Sequence, residues 1–141
     1  LTFQTSGTGA TRFLDSSFVD FDLFTGAGGG DNSANPLAAD LISIGGLLEL
    51  GTNVTLRVSN PNNMSTWAAG DSWKLFDWST LGGTVSGTFA SSTLPTLPFD
   101  LSWDLSQLAT AGTIIILQVP EPSRMLLGGV AMLLMARRRR R

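Results

Sequence analysis

The chain has 141 residues, of which 14% are charged and 43% hydrophobic, with no cysteine, no histidine and a formal net charge of −2. Those two absences exclude disulfide staples, thiolate or imidazole metal sites and imidazole-activated nucleophiles from these residues. The charge is split: residues 1–119 carry ten carboxylates against Arg12, Arg57 and Lys74, a balance of −7, and residues 120–141 carry six arginines against Glu121, a balance of +5. An acidic, lysine-poor body lacks the basic footprint that nucleic acid requires, so nucleic-acid binding is rejected.

In chain order, the first informative segment is residues 24–36, where four glycines, Asn32, Asn35 and Pro36 predict a flexible loop, since that composition holds neither a helix nor an interior strand. Two period-two runs come next, Leu48/Leu50 and Val54/Leu56/Val58, separated by Gly51, Thr52 and Asn53. Alternation of this kind buries one face of a strand. Residues 73–78 and 83–89, and the continuous apolar run of residues 112–119, add three candidate strands, bounded by glycine, proline and asparagine. No long helical period precedes residue 120, and about 118 residues suffice for one modest core. The reading is all-β. Short strands with turn signals every 8 to 12 residues or so fit a sandwich or a solenoid equally well.

The last segment has three blocks. Pro120 and Pro122 flank Glu121, fix two backbone angles and remove two amide donors, so no helix or central strand runs through them. Residues 125–136 carry no charge, and as a helix they span roughly 18 Å against about 30 Å for a bilayer's hydrocarbon core. The expected membrane segment is built from Met125, Leu126, Leu127, Val130, Met132, Leu133 and Leu134, with Arg124 able to snorkel at its outer end. Arg137, Arg138, Arg139, Arg140 and Arg141 then act as a topology signal that stays in the cytoplasm and leaves the body outside. A terminal amphipathic or buried helix fits less well, because five arginines have no place in a core and the run has no polar stripe.

The tail resembles the PEP-CTERM sorting signal of Gram-negative bacteria, in which Val-Pro-Glu-Pro, a short hydrophobic helix and a terminal arginine cluster succeed one another. The match covers residues 119–141. The resemblance implies recognition through Val119, Pro120, Glu121, Pro122 and Ser123 by an exosortase, a membrane protease-transferase with a cysteine nucleophile. It also implies removal of the helix and arginines after a transient stay in the inner membrane. Arg124 departs from the family's usual small, apolar or aromatic residue, and the apolar run is short. Residues 39–51 are similar to a coil unit of the autotransporter-associated β-strand repeat, and residues 70–79, 94–98, 101–108 and 112–116 are similar to blocks that close the passenger regions of many PEP-CTERM proteins. That second resemblance implies the C-terminal coils and cap of a right-handed parallel β-helix over residues 1–118, with residues 119–141 as the sorting signal. A β-sandwich is the alternative. The chain begins at Leu1 without an N-terminal signal peptide, and an outward-facing anchor needs an export signal upstream, so a C-terminal piece of a longer protein is expected.

Candidate chemistry is sparse. Trp78 and Trp103, with Trp67, Trp73, Phe76, Phe89 and Phe99, offer an aromatic platform for sugar rings, although Trp73 and Trp78 point to opposite faces if they share one strand. Packing is the competing role. Asp100 and Asp104 bracket Trp103, Asp71 and Asp77 flank Trp73, and Asp31, Asn32 and Asn35 share the glycine-rich loop; none has the spacing of a calcium loop or a glycosidase pair. Asn53-Val-Thr55 and Asn63-Met-Ser65 match the glycosylation acceptor pattern, which Asn/Thr-rich turns also produce by chance. No catalytic residue, metal ligand or cofactor is assigned. The expected function is that of an exported structural or adhesive protein of the cell surface or extracellular matrix, with exosortase as partner. A carbohydrate-binding or carbohydrate-active β-helix, contacting extracellular polysaccharide, is the alternative.

Overall fold

The computed structural model describes residues 2–4, 10–24, 39–77 and 82–120. The protein is all-β, built from β1 (Thr2–Gln4), β2 (Ala10–Phe13), β3 (Phe18–Asp22), β4 (Ile42–Gly45), β5 (Leu47–Leu50), β6 (Thr55–Ser59), β7 (Ser72–Lys74), β8 (Phe76–Asp77), β9 (Thr84–Ser86), β10 (Ser91–Thr93), β11 (Leu101–Asp104) and β12 (Thr113–Gln118). Its helical content among the described residues is one turn, α1 (Leu108–Ala111). The expected loop over 24–36 lies outside the described residues apart from Phe24, as does the expected helix over 125–136.

Consecutive strands do not pair with one another in the first part of the chain. They are dealt in turn into three parallel sheets, β1-β4-β8, β2-β5-β9 and β3-β6-β10. Register is set by side-chain period. In β3 the buried Val19 and Phe21 stand opposite the buried Leu56 and Val58 of β6, while the exposed Asp20 stands opposite the exposed Arg57. A slip of one residue would turn the carboxylate of Asp20 or the guanidinium of Arg57 into the core, which is why the alternation fixes the pairing. Asp20 and Arg57 are 37 residues apart, and so are Asp22 and Ser59 one step along the same pair of strands. On the next rung Thr55 and Ser91 are 36 apart.

The turns stack as well as the strands. The bend after β2 lies over the turn after β5: Thr52 N donates to Asp15 Oδ1 at 2.8 Å and Ser16 N to Thr52 O at 2.7 Å. Gly51 makes this approach possible, since a Cβ there would sit 2.5 Å from Asp15 Oδ1 and 2.8 Å from the Phe13 carbonyl oxygen. Asn53 takes the left-handed conformation (φ 59°) that closes the turn between the two predicted period-two runs. Those runs become β5 and β6, with Leu48, Val54 and Leu56 fully buried.

A fourth sheet, β11-β12-β7, is antiparallel and closes the stack at the third rung. Its inward residues Trp73, Ile114 and Ile116 join the same core as Phe21, Ile44, Leu48 and Leu56. The expectation of one strand over 73–78 is corrected here. The segment turns a corner at Leu75, so β7 pairs with β12 in the antiparallel sheet and β8 with β4 in a parallel one. Both Leu75 N and Phe76 N donate to the carbonyl of Gly112, at 2.8 and 3.1 Å, which bends the chain at a point where Trp73, Leu75, Phe76 and Asp77 are all buried.

Gly112 is the tightest position of this junction. It ends α1 with φ 73°, its N–H donating to Leu108 O at 3.0 Å, and a Cβ there would lie 1.9 Å from the Phe76 carbonyl oxygen. Both the positive φ and the collision oppose any side chain. Gly112→Ala is expected to cost about 3 kcal/mol in urea unfolding; an unchanged midpoint would show that the corner relaxes freely.

Candidate functional site

The junction with the tail is built by the last hydrogen bond of the cap sheet. β12 ends at Gln118, and Val119 N then donates to Asp100 O at 2.8 Å. Val119 is 38% exposed and Pro120 is exposed. Val119 thus makes the last backbone hydrogen bond of the sheet among the described residues, at the surface. Glu121, Pro122, Ser123, the membrane segment 125–136 and Arg137 to Arg141 lie outside the described residues. Among the described residues no helix is long and apolar enough to cross a membrane.

The aromatic candidates divide. Trp78 lies outside the described residues. Trp103 is half-buried, directly opposite Ile116, and its indole N–H donates to the Pro95 carbonyl at 2.9 Å. It packs with Trp67 and Trp73 in a triangle whose ring centroids lie 5.7 to 5.8 Å apart. Edge-on and tilted contacts at these distances are attractive beyond the apolar area they bury. In this arrangement Trp103 braces the cap, with its one polar atom satisfied by backbone. Phe76 is fully buried against Phe21, with centroids 5.0 Å apart, while Phe99 is 90% exposed.

The carboxylates are mostly engaged in local structure. Asp71 is buried and accepts from Ala68 N at 2.9 Å, closing the turn that leads into β7. Asp77, also buried, pairs with Lys74 Nζ at 3.2 Å. Asp104 accepts from Ser106 N at 2.8 Å, and that backbone hydrogen bond, helped by the Ser106 side chain, holds its carboxyl below the usual carboxylate range. Among the described residues no group of three acidic side chains is placed to hold a metal ion. An apolar cleft of about 180 Å³ opens between β9 and α1, lined by Leu50, Val85, Thr88, Phe89, Leu105 and Leu108 among others. Its lining brings no carboxylate or amine into the cleft, so it offers shape without an acid or a base.

Sequence reasoning missed the outward face of β3 and β6. Arg57 makes a bidentate pair with Asp20, Nε to Oδ1 at 2.5 Å and Nη2 to Oδ2 at 2.7 Å, and its guanidinium carbon lies 4.2 Å from the centre of the Phe18 ring. Ser59 donates to Asp22 beside them, and the hydroxyls of Thr55 and Ser91 are bonded at 2.8 Å on the neighbouring rungs. The signal was present in the period-two alternation of Val19, Phe21 and Leu23 with Phe18, Asp20 and Asp22.

This pair supplies a pH test. Hydrogen bonding to Arg57 lowers the Asp20 pKa, so its contribution is fully present above the ordinary aspartate range and is lost as the pH falls through the lower folded-state value. Both partners are solvent-exposed, so the loss is small. Arg57→Ala should flatten the acid limb of the stability profile slightly and leave the profile near neutrality unchanged in shape. A steeper acid limb in the variant would contradict the assignment.

Comparison with protein-family models, with curated proteins and with solved structures returns no match.

Proposed function

We propose that this chain is the C-terminal part of an exported cell-surface or extracellular-matrix protein with a structural or adhesive role, delivered by a C-terminal sorting signal that an exosortase processes. The observation that carries the reading is the three-block tail, a Pro-Glu-Pro motif, twelve uncharged residues and five arginines, joined to an all-β body at an exposed point. The arginines hold the C-terminus in the cytoplasm, and the short apolar run seats the tail in the inner membrane without anchoring it durably. Pro120 and Pro122 each fix one backbone angle, which lowers the conformational entropy lost when the enzyme binds the motif.

The body in this reading is the end of a right-handed parallel β-helix with its cap. Its support is the dealing of strands into three parallel sheets at a spacing of about 37 residues, with polar rungs outside, apolar rungs inside and an antiparallel sheet across the last coil. Parallel strands joined by such crossovers are overwhelmingly right-handed, and a capped solenoid avoids an open hydrophobic end. A stack of this kind suits a spacer or adhesive stalk. The direct test is transfer: residues 119–141 fused to an unrelated exported reporter should route it to the cell surface in a strain carrying an exosortase. In a strain lacking the enzyme the reporter should stay in the inner membrane. Equal surface delivery in both strains would sink the proposal.

A second reading, binding of extracellular polysaccharide, is favoured by the outward rungs of β3 and β6, where the 58% exposed Phe18 sits among Asp20, Asp22, Arg57 and Ser59. Sugar rings stack on flat aromatic faces and hydrogen-bond to planar polar groups beside them. Phe18→Ala should then abolish retardation of the protein in gels cast with the cell's own polysaccharide. Retardation that never occurs for the native protein dismisses this reading.

A further inference from the structure

The outer face of the cap sheet carries two exposed apolar side chains where the chain leaves it, beside Ser102 and Asp100 of the paired strand and turn. Leu117 is 46% exposed and Val119 38% exposed, and as alternate residues of one extended segment they point to the same side. Phe99, 90% exposed, lies on the adjoining turn, whose Asp100 carbonyl holds Val119 N. Three large exposed side chains thus flank the point where the chain leaves an otherwise acidic body, with Asp100 opposite Val119. Nothing in the core requires them there, because the opposite face of β12 already supplies Ile114 and Ile116.

We infer that this corner, Phe99, Leu117 and Val119, is a membrane-contact surface that rests on the outer interface of the bilayer while the tail is inserted. The occupant is a lipid surface because the corner is tethered to the apolar run by a short linker. That uncharged run begins at Met125, six residues after Val119. Fully extended, those six residues reach about 20 Å at most. If the run enters a bilayer, the corner is held within that distance of its hydrocarbon, and an apolar side chain so tethered gains by entering the interface. The contact would orient the body with its cap toward the membrane and the rungs of β1, β2 and β3 away from it. It would also fix the direction in which Glu121 and its prolines are presented. This inference depends on the proposed insertion of the tail.

The absence of cysteine allows one spin label per molecule. Three variants of the 141-residue chain serve, each reconstituted with zwitterionic phosphatidylcholine vesicles. In the first, Ser102→Cys, the label stands directly opposite Leu117 and on its face. In the second, Leu14→Cys, it occupies a 70% exposed site on the first rung, at the other end of the stack. In the third, Met132→Cys, it lies within the apolar run. The inference predicts that the labels at 132 and 102 are relaxed by oxygen, as in lipid, and the label at 14 by a water-soluble nickel complex.

A label at 132 in lipid with the label at 102 in water overturns the inference and leaves the tail reading intact. A label at 132 in water overturns both. The triple variant Phe99→Ser, Leu117→Ser, Val119→Ser should return the label at 102 to water and weaken vesicle binding about tenfold, with an unchanged melting curve. A dimer in sedimentation that this variant dissolves would assign the corner to a second copy and overturn the lipid contact.

Discussion

Trp73→Ala is expected to lower stability by about 5 kcal/mol, at the upper end of what aromatic truncation costs in a core. Trp73 is completely buried, stands opposite Ile114 and touches both Trp67 and Trp103 at ring distances under 6 Å. Its removal opens a cavity at the joint between the antiparallel cap and the parallel stack, and it breaks two of the three contacts that hold the tryptophan triangle. Each aromatic contact adds about 0.5 to 1.5 kcal/mol to the area term, which is why the cost exceeds that of an ordinary leucine. Since a domain of this size is stable by only about 5 to 15 kcal/mol, the variant sits near the edge of folding. Trp67→Ala, at a half-buried site, should cost about half as much. The checks are the urea midpoint and the near-ultraviolet circular dichroism of the coupled indoles. A loss below about 2 kcal/mol for Trp73 would mean that the cap and the stack are not one cooperative core.

The second large effect falls on processing. In the variant Pro120→Ala, Glu121→Ala, Pro122→Ala, surface-exposed protein should vanish and the whole pool should remain in the inner membrane in a strain carrying the exosortase. Two causes act together. The substitutions erase the side chains that the resemblance assigns to recognition, and they remove two fixed φ angles together with the only prolines between β12 and the apolar run. The body should be untouched, because Val119 makes the last described backbone bond of the cap. Normal surface delivery of the variant would detach sorting from the motif.

How much of this could be read in the sequence depends on where the physics leaves a local trace. The expectation for the tail rests entirely on local terms, charge, proline and an uncharged run, and from Glu121 on it lies outside the described residues. β5 and β6 were legible because Leu48, Val54, Leu56 and Val58 alternate and a glycine and an asparagine punctuate them. β3 carried an equally clear alternation that went unassigned. β10 carried none: Ser91, Ser92 and Thr93 are all polar and exposed, and they form a strand only because β6 offers its edge and Thr55 offers a hydroxyl. The corner at Leu75 was invisible for a similar reason, since its cause is the backbone of Gly112, far away in the chain. The tryptophan triangle joins residues from an irregular segment and two different strands, which no period predicts. The Phe18, Asp20 and Arg57 arrangement depends on register between rungs, a non-local quantity.

The proposal at the centre of this reading is that the tail is a removable address. Mass spectrometry of the C-terminus, on protein recovered from the surface of cells carrying an exosortase, tests it most directly. The expected product is a mature chain that ends close to Pro122 and lacks residues 125–141. Surface-recovered protein that still carries Arg141 would contradict it.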